Sequence, residues 1–146
     1  WGDKRMMLLV PSQLAFGWTL AFVPYFISGV IVSEERGAQY VGLLSAIIPV
    51  VAAATAHPTA LLTKTIGKPP VLSMTLLLLA LVGLPPLVAS NETLALWPNL
   101  VMYHVLFGVV RQGFENGNTA IVADVFGPLA KTAYSAESFL HGVGGG

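Results

Sequence analysis

Hydrophobic residues come in long blocks, separated by short charged or proline-rich interruptions. Residues 6–32 form an apolar run of about 27 positions behind Asp3-Lys4-Arg5. A second run, 38–62, follows Glu34-Glu35-Arg36-Gly37, and a third, 71–88, follows the basic connector Thr63-Lys64-Thr65-Ile66-Gly67-Lys68-Pro69-Pro70. A helix needs about 20 residues, within a range of about 17–25, to cross a hydrocarbon core of about 30 Å. The three blocks therefore predict three membrane-spanning helices. Within them, Pro24 predicts a kink with freed carbonyls near Leu20. Gly42, Ser45, Ala46 and the alanines 52–54 offer a small-residue surface for close packing. The third block is a run of Leu with almost no polarity, predicts a lipid-facing helix, and ends at Pro85-Pro86.

The next block is different. Residues 97–126, between Trp97-Pro98 and Gly127-Pro128, predict a helix of roughly 29 residues and ~44 Å, with an arginine and a glutamate near its middle. At 100° per residue, His104, Gly108, Arg111, Glu115 and Asn118 form one stripe, with Gln112, Asn116 and Thr119 along its edge. On insertion scales a central Arg or acidic residue costs about 2.5–3.5 kcal/mol, so the two together cost roughly 5–7, while ten apolar residues return only about 3–6. Arg111 and Glu115 are four apart and can pair, which lowers the cost but leaves guanidinium hydrogens unsatisfied. The stripe is therefore expected to face protein or a water-filled cavity rather than lipid.

After Gly127-Pro128 a polar connector over 129–135 carries Lys131, and residues 135–146 read as the start of a fifth helix. The expected fold is all-α: a polytopic transmembrane bundle of four full spans plus part of a fifth, in one domain over 1–146. The chain begins at Trp1 rather than Met, which suggests part of a longer protein.

Composition agrees with the block pattern. The chain is 55% hydrophobic and 10% charged, against about 25% charged in soluble domains, and its mean hydropathy is +0.75. Seven basic residues balance seven acidic ones, so no global field points to nucleic acid. Cysteine is absent, which removes disulfides and thiolate chemistry. His57, His104 and His141 lie on separate segments, and no nucleophile elbow, phosphate loop or metal-ligand spacing is present. No enzymatic activity, cofactor or metal is expected.

The distribution of loop charge sets an orientation. Lys4, Arg5, Lys64, Lys68 and Lys131 fall on one side, whereas the opposite loops carry only Arg36 as a basic residue. The positive-inside rule makes the loops at 1–5, 63–70 and 127–136 cytoplasmic. Asn91-Glu92-Thr93, a glycosylation acceptor pattern, then lies on the outer or lumenal side, and Asn91 is the candidate site.

The alternation of spans from the cytoplasm resembles the opening of the C-terminal half of a major facilitator superfamily transporter. The connector 60–68 carries Leu62, Gly67 and Lys68 of that superfamily's loop signature, with Ala60 in place of its first glycine and Lys64 in place of its aspartate. Within the superfamily, the chain resembles the UNC-ninety-three-like (ion channel regulatory protein) family. The likeness rests on Asp3-Lys4-Arg5 before a Leu-rich span, on Gln39-Tyr40-Val41-Gly42 opening the second span, and on Gly108 with the polar run from Arg111 to Asn118 before Ala120. It implies an accessory or regulatory membrane protein that associates with other membrane subunits. The alternative is a secondary transporter. In it Glu115 would accept a proton, Arg111 would be an anion contact or counter-ion, and Asn118, Gln112 and His104 would be hydrogen-bonding groups, with Asn116 beside them at mid-membrane. The expected surroundings are membrane lipid and the helices of a longer chain or of other subunits, with a small-molecule substrate only in the transporter reading.

Overall fold

The structure, a computed structural model, describes residues 4–145. Residues 1–3 of the charged threshold lie outside the described residues, as do the side chains of Lys4, Arg5, Glu137 and His141. Among the described residues every element is helical, with no strand.

The first helix, α1, spans Lys4–Phe22 and runs on without a break into a π-helical segment, Val23–Val32, and a last turn, Ser33–Glu35. Its change of helix type has a local cause. Pro24 has no N–H to give the carbonyl four residues back, so the register slips to the wider i→i+5 pattern. The kink expected at Pro24 is thus a change of helix type spread over ten residues.

Helix α2 spans Gln39–Ile66 and α3 spans Lys68–Gly83, continuing after Leu84 as Pro85–Val88. The connector expected over 63–70 shrinks to the single residue Gly67, whose φ of 91° lies in the left-handed region that favours glycine. Lys68 and Pro69 open α3, where the missing proline N–H costs nothing. A one-turn helix, Asn91–Leu94, is capped by Ser90, whose hydroxyl accepts from Thr93 N–H, and leads into α4, Trp97–Phe126. Helix α5 spans Ala130–Gly145. The connector expected over 129–135 is therefore largely helical, because Ala130 follows Gly127-Pro128 and a single 3-10 turn with good helix formers.

Among the described residues three helices are long and apolar enough to cross a membrane: Val10–Glu35, Gln39–Ile66 and Lys68–Val88. Their apolar surface points outward as well as inward. Tyr25, Leu43, Val50, Leu77, Leu87 and Val88 are exposed, a distribution that would aggregate in water and suits a hydrocarbon solvent. Helix α4 is not among the three. It has the length, but Arg111, Gln112, Glu115, Asn116 and Asn118 lower its hydropathy.

Helix α4 is nonetheless the centre of the bundle. Its buried residues Leu100, Tyr103, Phe107, Val110 and Phe114 form the main core with Phe16, Ile27, Leu44, Ile48, Leu79 and Val82. Trp97 meets Tyr40, and Gly108 meets Ile48 and Val51, so α4 runs parallel to α2. Tyr103 meets Val82, Gly113 meets Thr75 and Asp124 meets Lys68, so it runs antiparallel to α3 over the whole length of that helix. Helix α5 packs beside the start of α1, with Val122, Ala133 and Leu140 buried against Val10 and Leu14.

Candidate functional site

Helix α4 makes a polar contact to each of the elements α1, α3 and α5. Toward the Trp97 end, buried His104 sits between two partners. Its Nδ1 lies 2.8 Å from the Leu100 carbonyl and its Nε2 lies 3.0 Å from Ser28 Oγ, in the π-helical segment. A carbonyl can only accept, so Nδ1 carries the proton; in the neutral imidazole Nε2 then accepts from the Ser28 hydroxyl. Tyr103, one residue earlier, donates its hydroxyl to the Val82 carbonyl at 2.7 Å. In an unbroken helix that carbonyl would accept from residue 86, which is Pro86 and has no N–H. Tyr103 satisfies the acceptor that Pro86 orphans.

Toward the other end, Gln13 Nε2 donates to Asn118 Oδ1 at 2.6 Å, with both side chains buried. Between the two polar contacts to α1, Phe16 stacks on Phe114 with ring centroids 4.0 Å apart. Tyr134 of α5 donates to the Thr119 carbonyl at 2.9 Å. Lys68 Nζ closes the far end on Asp124 at 2.6 Å.

Two glycines, Gly108 and Gly113, let the helices approach. A Cβ at Gly108 would lie 2.9 Å from the Ile48 carbonyl oxygen and from Val51 Cβ, and one at Gly113 would lie 2.6 Å from Thr75 Oγ1. At Gly117 a Cβ would meet Leu72 at 3.5 Å, an ordinary contact. Gly113 and Gly117 form a small-xxx-small pair facing α3, the spacing that permits close approach of membrane helices.

The polar stripe is divided by this packing. Its ends, His104 and Asn118, are buried on α1, and Gly108 is buried on α2. Its middle is open. Arg111 Nε donates to Glu115 Oε1 at 2.9 Å, and their side chains are 44% and 45% exposed. Asn116 and Thr119 are exposed and Gln112 is half-buried. The Arg111 Nη groups and Glu115 Oε2 meet no other partner among the described residues. At this level the contact to α1 is made by Phe114, which stacks on Phe16, and not by Arg111 or Glu115.

Asn91 begins the one-turn helix and is exposed, and Ser90 Oγ lies 2.9 Å from Thr93 Oγ1. Close by, Arg36 donates from Nε to the Ala95 carbonyl at 2.6 Å and lies over the Trp97 ring, 6.0 Å from its centroid.

Sequence reasoning did not single out Ser28, Tyr103, Thr75 or the Gly113/Gly117 pair. The glycine spacing and the carbonyl four residues before Pro86 were signals within the chain; the Ser28 contact spans 76 residues and had none. Among the described residues no group of His, Asp and Glu could hold a metal ion. The chain matches no protein-family model, no curated protein and no solved structure.

Proposed function

We propose that this chain belongs to a multi-pass membrane protein of major facilitator type, UNC-ninety-three-like, that acts as an accessory or regulatory subunit of another membrane protein. Helix α4 is its fourth span, and the segments at 1–5, 63–70 and 127–136 lie at the cytoplasmic side. The observation that carries the reading is the half-exposed Arg111–Glu115 pair at mid-length of the central helix, with its remaining hydrogen-bonding capacity unused among the described residues. In water such an exposed pair is ordinary and contributes about 0–1 kcal/mol. At mid-bilayer an ionic group facing lipid is strongly unfavourable, so a further protein surface covers it.

A second reading has support from the same exposure: the pair lines a water-filled cavity of a secondary transporter, with Glu115 as proton acceptor. Cysteine is absent from residues 1–146, so one introduced at Asn116 is the single thiol of this segment. In native membranes carrying the full-length protein, a photo-crosslinker at 116 is expected to give one adduct of defined mass with another membrane protein, lost in Arg111→Ala. A hydrophilic thiol reagent that reaches Asn116→Cys freely, with no adduct at 116, would replace the accessory reading by the transporter reading. Proton-coupled uptake that Glu115→Gln abolishes would do the same.

A further inference from the structure

The open middle of the stripe also restricts what can cover it. Arg111 and Glu115 already neutralise each other through one hydrogen bond. What they leave unused is a planar pair of donor groups on Arg111 and one carboxylate oxygen on Glu115. A partner that brings a single extra charge to this depth converts a neutral pair into a buried net charge. A carboxamide does not: its oxygen accepts up to two of the guanidinium N–H groups and its NH₂ donates to the free carboxylate oxygen, so each gains a partner and the net charge stays zero.

A second copy of this chain is a poorer match. In one membrane, copies share one orientation, and a two-fold axis along the membrane normal sets Arg111 beside Arg111 and Glu115 beside Glu115 at equal depth. A helix from a different chain avoids that clash. The face around the pair has room for one, because Asn116 and Thr119 are exposed beside it.

We infer that the Arg111–Glu115 face of α4 docks a transmembrane helix of a different membrane protein that presents an asparagine or glutamine side chain at mid-bilayer. The inference rests on the accessory reading and names the chemistry of its partner.

The test uses full-length protein reconstituted in liposomes at low density, labelled at one introduced cysteine, and host helices of polyleucine carrying Asn, Gln, Asp, Lys or Leu at the central position. Energy transfer reports association. The Asn and Gln hosts are expected to bind at least about tenfold more tightly than the Leu host, a difference of about 1.4 kcal/mol. That preference should vanish in Arg111→Leu/Glu115→Leu. The exchange Arg111→Glu/Glu115→Arg keeps a neutral pair, and a carboxamide can turn end for end, so its preference should persist within a few fold. Preference for the Asp or Lys host, or loss of the Asn preference on exchange, would overturn the carboxamide assignment and leave the accessory reading standing. Equal binding of all hosts, or transfer between copies of the protein that outcompetes every host, would overturn the docking proposal too. The crosslinking experiment at position 116 remains the separate test of whether a partner exists.

Discussion

A methyl group at Gly113 would lie 2.6 Å from Thr75 Oγ1 and 3.2 Å from its Cγ2, but 3.5 Å from its Cβ, so the conflict is with one removable hydroxyl and one methyl. Gly113→Ala is expected to destabilise the detergent-solubilised protein by about 1–3 kcal/mol through overpacking. In a Thr75→Ala background the same substitution should cost much less. Thermal unfolding of the four proteins gives the coupling directly, and additive effects would mean that α3 and α4 are not this close. Gly108 has no such remedy, because the Ile48 carbonyl oxygen is backbone. Gly108→Ala should therefore cost more than Gly113→Ala with no single-residue rescue.

Helix α3 carries two consecutive prolines near its end, yet helix resumes at Pro85–Val88 instead of stopping. The Tyr103 hydroxyl is one reason, since it occupies the Val82 carbonyl that Pro86 leaves open. Tyr103→Phe should cost about 1–3 kcal/mol by stranding a buried acceptor. Pro86→Ala supplies the missing N–H, so the tyrosine substitution should become nearly neutral in that background, as read by unfolding midpoint. A full penalty in both backgrounds would mean that the hydroxyl serves some other role. The π-helical segment of α1 is the second proline adaptation. It sets Ser28 on His104, and Ser28→Ala is expected to loosen α1 from α4 and raise hydrogen exchange over 23–32 while leaving the α3–α4 contacts protected.

At the scale of the whole molecule, the most polar of the long helices is held by three more apolar ones, and its polar groups divide into two sets. Gln13–Asn118 and Ser28–His104 are enclosed and fix α1 on α4, whereas Arg111–Glu115 lies on an open face. Removing Lys68, whose pair with Asp124 is 36% and 60% exposed, should change stability by no more than about 1 kcal/mol. The orientation has its own test. If the Asn91 side is lumenal, the protein made in a glycosylating membrane should run larger by one glycan, and Asn91→Gln should abolish that shift. An acceptor introduced in the 63–70 segment should stay unmodified, and modification there would reverse the topology.

Much of this architecture is local and was therefore open to reading from the chain. The apolar blocks set three helices, the proline in the first block announced a disturbance there, and residues 97–126 are the helix that the pattern predicts, because periodicity and punctuation act within a few residues. The boundaries at 63–70 and 129–135 were less legible, since a glycine of left-handed φ or a proline at a helix start can compress a connector to almost nothing. The polar stripe was likewise visible as a set of residues. Its division was not, because periodicity fixes the angle of a side chain around its own helix and says nothing of which neighbour stands there. Only tertiary packing, which sets Ser28 on His104 and Gln13 on Asn118, decided that these two are enclosed while Arg111 and Glu115 on the same stripe stay open. Contacts such as Gln13 to Asn118, 105 residues apart, exist because tertiary structure brings distant segments together, and no local pattern records them.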